Sequence, residues 1–127
     1  MNFNKAQLGA IEHKDGAMLV LAGPGSGKTA VITHRTKNLI TKHHVKPSEI
    51  LVITFTKAAA NEMKERFNSL MKDERMNVSF GTFHAVFFTI LKYAYRFTSA
   101  NIADESVRYG FIREILSYYR LEYKDEN

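Results

Sequence analysis

The stretch Ala17–Thr29 constrains this chain more than any other. An uninterrupted apolar run, Ala17-Met18-Leu19-Val20-Leu21-Ala22, leads directly into Gly23-Pro24-Gly25-Ser26-Gly27-Lys28-Thr29. A run of that kind, bounded by the turn Lys14-Asp15-Gly16 and a glycine-rich loop, has the pattern of a strand buried on both faces. From Lys28 to about His43, Val31, Ile32, Arg35, Leu39 and Ile40 recur at roughly helical spacing. Strand, glycine loop and helix in that order match the phosphate-binding pattern G-x-x-x-x-G-K-[ST], with Ala22 in the first glycine position.

Each residue type has a physical reason to be there. Glycines at 23, 25 and 27 allow backbone angles that turn successive N–H groups inward around an anion. The helix opening at Lys28 points its positive end at the same place. Lys28 adds a full charge, and the Thr29 hydroxyl is a hard oxygen suited to Mg²⁺. The candidate nucleotide cradle is therefore Ala22, Gly23, Pro24, Gly25, Ser26, Gly27, Lys28 and Thr29. Lys28 and Thr29 are the candidate catalytic residues, and Thr29 is the candidate metal ligand. Such a loop indicates a nucleoside triphosphate and leaves the reaction open, since kinases, GTPases and motors all use one.

The rest of the chain alternates strands and helices. Asn4 reads as the N-cap of a helix over Lys5–Glu12. Ile50–Phe55 is a second buried strand and Val78–Phe80 a third. Ala58 to about Lys72 is a helix with Ala59, Met63, Phe67 and Leu70 on one stripe. Thr82 to about Tyr95 is an apolar helix, and Thr98–Ile102 is irregular or a short strand. Asp104 caps a last helix reaching about Tyr119, with Val107, Phe111, Ile115 and Leu116 inward. The tail Glu122–Asn127 reads as polar and frayed. The alternation predicts an α/β fold with a parallel sheet and crossover helices, and its ligand site at the carboxyl ends of the strands.

Composition narrows the class. Hydrophobic residues make up 45% and charged residues 24%, which suits a globular domain and excludes disorder. The absence of cysteine excludes a disulfide framework and thiolate chemistry. No apolar run is long enough to span a membrane, and the N-terminus lacks a signal-peptide layout, so the expected location is the cytoplasm. A net charge of +5 suits a polyanionic partner, and equally suits solubility alone.

Three further segments carry candidate contacts. Gln7 has an amide that can both donate to and accept from an adenine edge. Thr54-Phe55-Thr56-Lys57 ends the second strand and opens a helix. Phe55 there can stack on a base, while Thr54 or Thr56 and Lys57 can hold a backbone phosphate. The competing reading makes Phe55 core and the threonines caps. Thr82-Phe83-His84 repeats the design after the third strand. His13, His34, His43 and His44 read as structural, since none has metal-ligand company.

Together these segments resemble the start of a UvrD/Rep/PcrA-type DNA helicase of superfamily 1. Phe3-Asn4…Gln7…Ala10-Ile11 resembles its adenine-reading Q motif, and Ala22–Thr29 with Thr33-His34-Arg35 its motif I. Ile53–Met63 resembles motif Ia and Phe80–His84 motif Ib. The resemblance is collinear from residue 3 to about 92. It implies a P-loop NTPase, RecA-like three-layer αβα fold with a parallel sheet. It implies ATP and Mg²⁺ as cofactors, held by Gln7 and by residues 22 to 30, Ala30 included. Ala30 stands where the family often carries an arginine. It also implies single-stranded DNA on Thr54, Phe55, Thr56, Lys57, Thr82, Phe83 and His84.

Hydrolysis also needs a magnesium carboxylate, a group orienting water and usually an arginine. Asp104-Glu105 and Asp125-Glu126 lack the preceding strand that a magnesium carboxylate would follow. The expectation is an N-terminal piece of a longer helicase. Residues 1–100 would belong to the first RecA-like domain and residues 101–127 would begin a helical insertion. The expected function is ATP and single-stranded-DNA binding within an ATP-dependent 3′–5′ DNA helicase, an enzyme whose isolated fragment is inactive. The alternatives are a subunit of a helicase–nuclease, a P-loop phosphoryl transferase and a nucleotide-binding module. The expected partners are ATP, single-stranded DNA and the rest of the helicase chain, with no membrane. An incomplete sheet would leave Ala17–Ala22 or Ile50–Phe55 with an open edge. That edge predicts either direct pairing of the two strands or a dimer that covers it.

Overall fold

The computed structural model describes residues 2–72, 74 and 76–121. Five helices and two strands follow in the order α1 (Lys5–Glu12), α2 (Lys28–Thr41), β1 (Leu51–Thr54), α3 (Lys57–Leu70), β2 (Ser79–Thr82), α4 (Phe83–Tyr95) and α5 (Glu105–Tyr118). Short 3₁₀ turns occupy Pro47–Glu49 and Ser99–Asn101. The chain divides into two compact units, Met1–Phe87 and Phe88–Asn127.

In the first unit, β1 and β2 pair in parallel, with Leu51 opposite Ser79 and Thr54 opposite Thr82. A parallel pair joined through a helix is an α/β arrangement. The core lies where α3 crosses this sheet. Phe67 is 0% exposed and clusters with Ile50, Met71 and Val78, and Leu39, Ile40, Val52 and Phe80 close around them. The Phe67 and Phe80 rings lie 5.6 Å apart. Thr33 and Thr36 of α2 are buried, but each hydroxyl donates back along its own helix, Thr33 to Thr29 O at 3.0 Å and Thr36 to Ile32 O at 2.9 Å. Neither is therefore a polar orphan.

The run Ala17–Ala22 differs from expectation. It forms no strand, and the sheet of the described residues is β1 and β2 alone. Leu19 is 85% exposed and Leu21 88%. Direct pairing with the second strand is thus overturned. The physical reason is that a strand exists only through its neighbours. β2 takes one edge of β1, and nothing among the described residues pairs with the run. Both other strands also shift. The second ends at Thr54, before Phe55, and the third starts at Ser79, with Val78 turned into the core instead.

The second unit contains the end of α4, the Ser99–Asn101 turn and α5. The segment Thr98–Ile102 is that turn, closed by Thr98 N–H donating to Asn101 Oδ1 at 2.8 Å, and not a strand. α5 is capped by Asp104, whose Oδ1 accepts from Val107 N–H at 2.9 Å and from Ser106 Oγ at 2.7 Å. Val107, Phe111 and Ile115, expected to face inward, are exposed, and Leu116 is half-buried. A helical stripe is buried only when another element covers it. The expectation for Glu122–Asn127 lies outside the described residues. No helix among the described residues is long and apolar enough to cross a membrane.

Candidate functional site

The glycine loop is built as its composition suggests. Gly25 and Gly27 have φ of +72° and +78°, left-handed values that side chains resist. Gly27 is the N-cap of α2, and no side chain caps the helix. The first-turn N–H groups of α2 are therefore left for water or a ligand. Lys28 Nζ donates to Gly23 O at 2.8 Å and reaches Ala22 O at 3.4 Å, so its amine lies over the loop. Lys28 is exposed and Thr29 half-buried. The Ser26 hydroxyl oxygen is buried and makes no hydrogen bond among the described residues.

Gln7 meets this loop directly. Asn4 and Gln7 form a capping box at the start of α1. Gln7 N–H donates to Asn4 Oδ1, and Asn4 N–H donates to Gln7 Oε1, each at 2.9 Å. Gln7 Nε2 then donates to Ser26 O at 3.0 Å. A cavity of about 380 Å³ lies between α1, the 18–23 segment and α2, and Asn4, Gln7, Gly23, Ser26 and Lys28 line it. Ala30 stands apart from this group. It is buried and lines a second groove with Thr33, His34 and Glu65, on the side of α3.

The other candidates gather at the carboxyl end of the sheet. Because Thr54 and Thr82 are register partners, both strands end at one edge and each is followed by a helix start. Thr56 Oγ1 accepts from Ala59 N–H at 3.1 Å and Thr82 Oγ1 from Ala85 N–H at 3.3 Å. Both threonines are thus caps. Phe55 is 86% exposed, and Lys57, Phe83 and His84 are exposed as well. A Cβ at Gly81 would lie 3.2 Å from Val86 Cγ2, so the turn from β2 into α4 is tight.

Among the other histidines, the His13 ring hydrogen-bonds Gly16 O at 3.0 Å and the His34 ring Ala30 O at 2.8 Å. No cluster of three or more metal-ligating side chains occurs among the described residues. Sequence reasoning missed Asn38, and it placed Arg35 in the helical pattern and in the motif I resemblance without giving it a contact to α1. Both side chains reach back to α1, across 25 and 27 residues. Polar residues on the otherwise core-facing side of α2 are the signal that such a contact leaves.

Residues 3–126 match the UvrD/REP helicase N-terminal domain. Over 81 residues the chain is 49% identical to the ATP-dependent DNA helicase SRS2 of Saccharomyces cerevisiae, covering 61% of this chain and 7% of that protein. It is 45% identical over 89 residues to the ATP-dependent DNA helicase PcrA of Bacillus subtilis, covering 70% of this chain and 12% of the relative. PcrA of Staphylococcus epidermidis is 43% identical over 91 residues, 72% of this chain and 12% of the relative. This chain belongs to the UvrD/REP helicase N-terminal domain family.

Proposed function

We propose that this chain is the N-terminal ATP- and single-stranded-DNA-binding segment of an ATP-dependent 3′–5′ DNA helicase of replication or repair. Its fold is read as the first part of a P-loop, RecA-like αβα domain in the cytoplasm, with a helical insertion beginning after about residue 100. The rest of the helicase chain supplies the remaining partner surface. One observation carries the reading. The Gln7 carboxamide, a group able to read adenine, is hydrogen-bonded to Ser26 of a glycine loop that opens an uncapped helix.

The residues present fit a nucleoside triphosphate. The buried Ser26 hydroxyl lacks a partner among the described residues, the α2 N-terminus lacks a side-chain cap, and Lys28 lies over the loop. Inward N–H groups and the helix end would hold the phosphates, with Lys28 against the outer ones. Thr29 would give Mg²⁺ one hard oxygen, the remainder coming from phosphate and water. Bound ATP supplies the phosphoryl bond whose hydrolysis drives the motor. Lys28 would offset the charge of its outer phosphates, Thr29 would hold the Mg²⁺ beside them, and the exposed edge at Phe55 and Phe83 would take the DNA.

ATPase activity of the full-length protein, measured with and without oligo-dT, tests this. Stimulation by single-stranded DNA is expected, and turnover indifferent to DNA would overturn the single-stranded-DNA part of the reading.

A further inference from the structure

α1 is only 8 residues long, too short to hold itself in water. It has no basic residue in its last turn, where a cation would offset the negative helix end. α2 provides what α1 lacks. Arg35 Nη1 donates to Ala10 O at 3.0 Å and also to His13 O. Asn38 Nδ2 donates to Ile11 O at 3.1 Å. Two carbonyls of the last turn of α1 and that of its C-cap His13 are thus met by two side chains of α2, three residues apart and on one face. Ala10 and Ile11 are the buried residues of α1.

One turn before these carbonyls stands Gln7. Its carboxamide has two donors and two acceptor lone pairs. One acceptor is used by Asn4 N–H at 2.9 Å and one donor by Ser26 O at 3.0 Å. That leaves one N–H and one lone pair to face a base. Adenine offers a ring nitrogen acceptor beside an exocyclic donor, whereas guanine offers two acceptors at the same edge. Discrimination therefore depends on the direction in which the carboxamide is held, and so on the placement of α1. Arg35 lines the same cavity as Gln7, but its guanidinium is engaged with carbonyls.

We propose that Arg35, assisted by Asn38, is a positioning residue for base recognition, fixing α1 on α2 so that the Gln7 carboxamide stays over Ser26. The proposal rests on the nucleotide reading above. It assigns Arg35 an effect on the base through Gln7, and none on the phosphates.

Calorimetric titration of the full-length protein with MgATP, MgGTP and tripolyphosphate tests it, in wild type, Arg35→Met, Gln7→Ala and the double variant. Arg35→Met is expected to weaken ATP about tenfold, the scale of one or two lost hydrogen bonds, and to leave GTP and tripolyphosphate within about twofold. On the Gln7→Ala background it is expected to add nothing, since a residue acting through another has no target once that one is gone. Arg35→Lys, which keeps a donor, is expected to restore part of the ATP preference. Equal weakening of all three ligands, or full additivity with Gln7→Ala, would assign Arg35 to the fold and overturn the proposal. If Arg35→Met loses its cooperative thermal transition, Asn38→Ala decides, and an unchanged ratio of ATP to GTP affinity there overturns it. Full-length wild-type protein that binds none of the three ligands overturns the nucleotide reading itself, before any variant is made.

Discussion

Thr54 and Thr82 stand opposite each other at the last step of the β1–β2 ladder. The relationship decides what the sheet presents. Both strands stop at the same level, and both chains turn into helices, at Lys57 and Phe83. Two helix N-termini side by side favour an anion. The phenylalanines that follow the paired threonines, Phe55 and Phe83, stay in solvent rather than in the core. A repeated arrangement of threonine cap and exposed ring suits a strand that alternates phosphate and base.

Phe55→Ala is expected to weaken binding of oligo-dT by about 1–3 kcal/mol if one base stacks there. At 86% exposure the ring contributes little to the core, so the midpoint of thermal unfolding stays essentially where it was. Fluorescence anisotropy at several salt concentrations measures both the loss and the phosphate share of binding. Equal affinities for variant and wild type would leave Phe55 without a nucleic-acid role.

Lys28→Ala separates charge from packing in the loop. The side chain is exposed and, among the described residues, bonds to the Gly23 and Ala22 carbonyls, so truncation opens no cavity. Stability is expected to change by less than about 0.5 kcal/mol. ATPase of the full-length protein is expected to fall below about a tenth of wild type, because a cation at the transferring phosphate is worth several kcal/mol. Turnover above that level, in a variant that unfolds like wild type, removes Lys28 from the chemistry.

Local features of the fold were legible in the sequence. Asn4 and Gln7 cap α1 and Asp104 caps α5 through contacts three residues apart, and such contacts are set by residue type and spacing. The left-handed glycines at 25 and 27 follow from the loop pattern in the same way. What the sequence withheld depends on distant partners. The composition of Ala17–Ala22 says that it wants burial on both faces, and cannot say whether a neighbouring strand is present. The sequence reading puts Val78 in the third strand, but the register with Leu51 starts the ladder one residue later and leaves Val78 to the core. The hold of Arg35 and Asn38 on α1 spans more than two dozen residues, and polar side chains on that side of α2 mark that a partner exists without saying which carbonyls it is.

Asp104 links α5 to pH. The Val107 N–H, and after it the Ser106 hydroxyl, hold its carboxyl below the ordinary value of 3.8. A carboxyl with a depressed folded-state pKa contributes stability that is fully present above its unfolded value and is lost as pH falls through the folded one. Acidification below about pH 4 should therefore unwind α5 more in wild type than in Asp104→Asn, whose neutral amide still caps. Far-ultraviolet circular dichroism of both proteins between pH 6 and pH 2 gives the comparison. Superimposable curves would mean that the cap contributes no charge.

Leu19 and Leu21 carry the last prediction. Both are almost fully exposed, in a run with no pairing partner among the described residues. An apolar segment with open backbone groups is a template for another chain. The run is close to a palindrome. Antiparallel pairing of two copies about a two-fold axis would set Ala17 against Ala22, Met18 against Leu21 and Leu19 against Val20, a self-complementary contact. We therefore expect the mean mass of the chain to rise with concentration in light scattering. Leu21→Lys places a charge where the copies would meet, and should hold the mass at the monomer value over the same range. Since Leu21 is 88% exposed, that substitution should leave the unfolding midpoint in place, so loss of association could not be ascribed to loss of fold. Wild-type chain that stays monomeric at every concentration would show that the exposed run is tolerated in water, and the edge argument would fail.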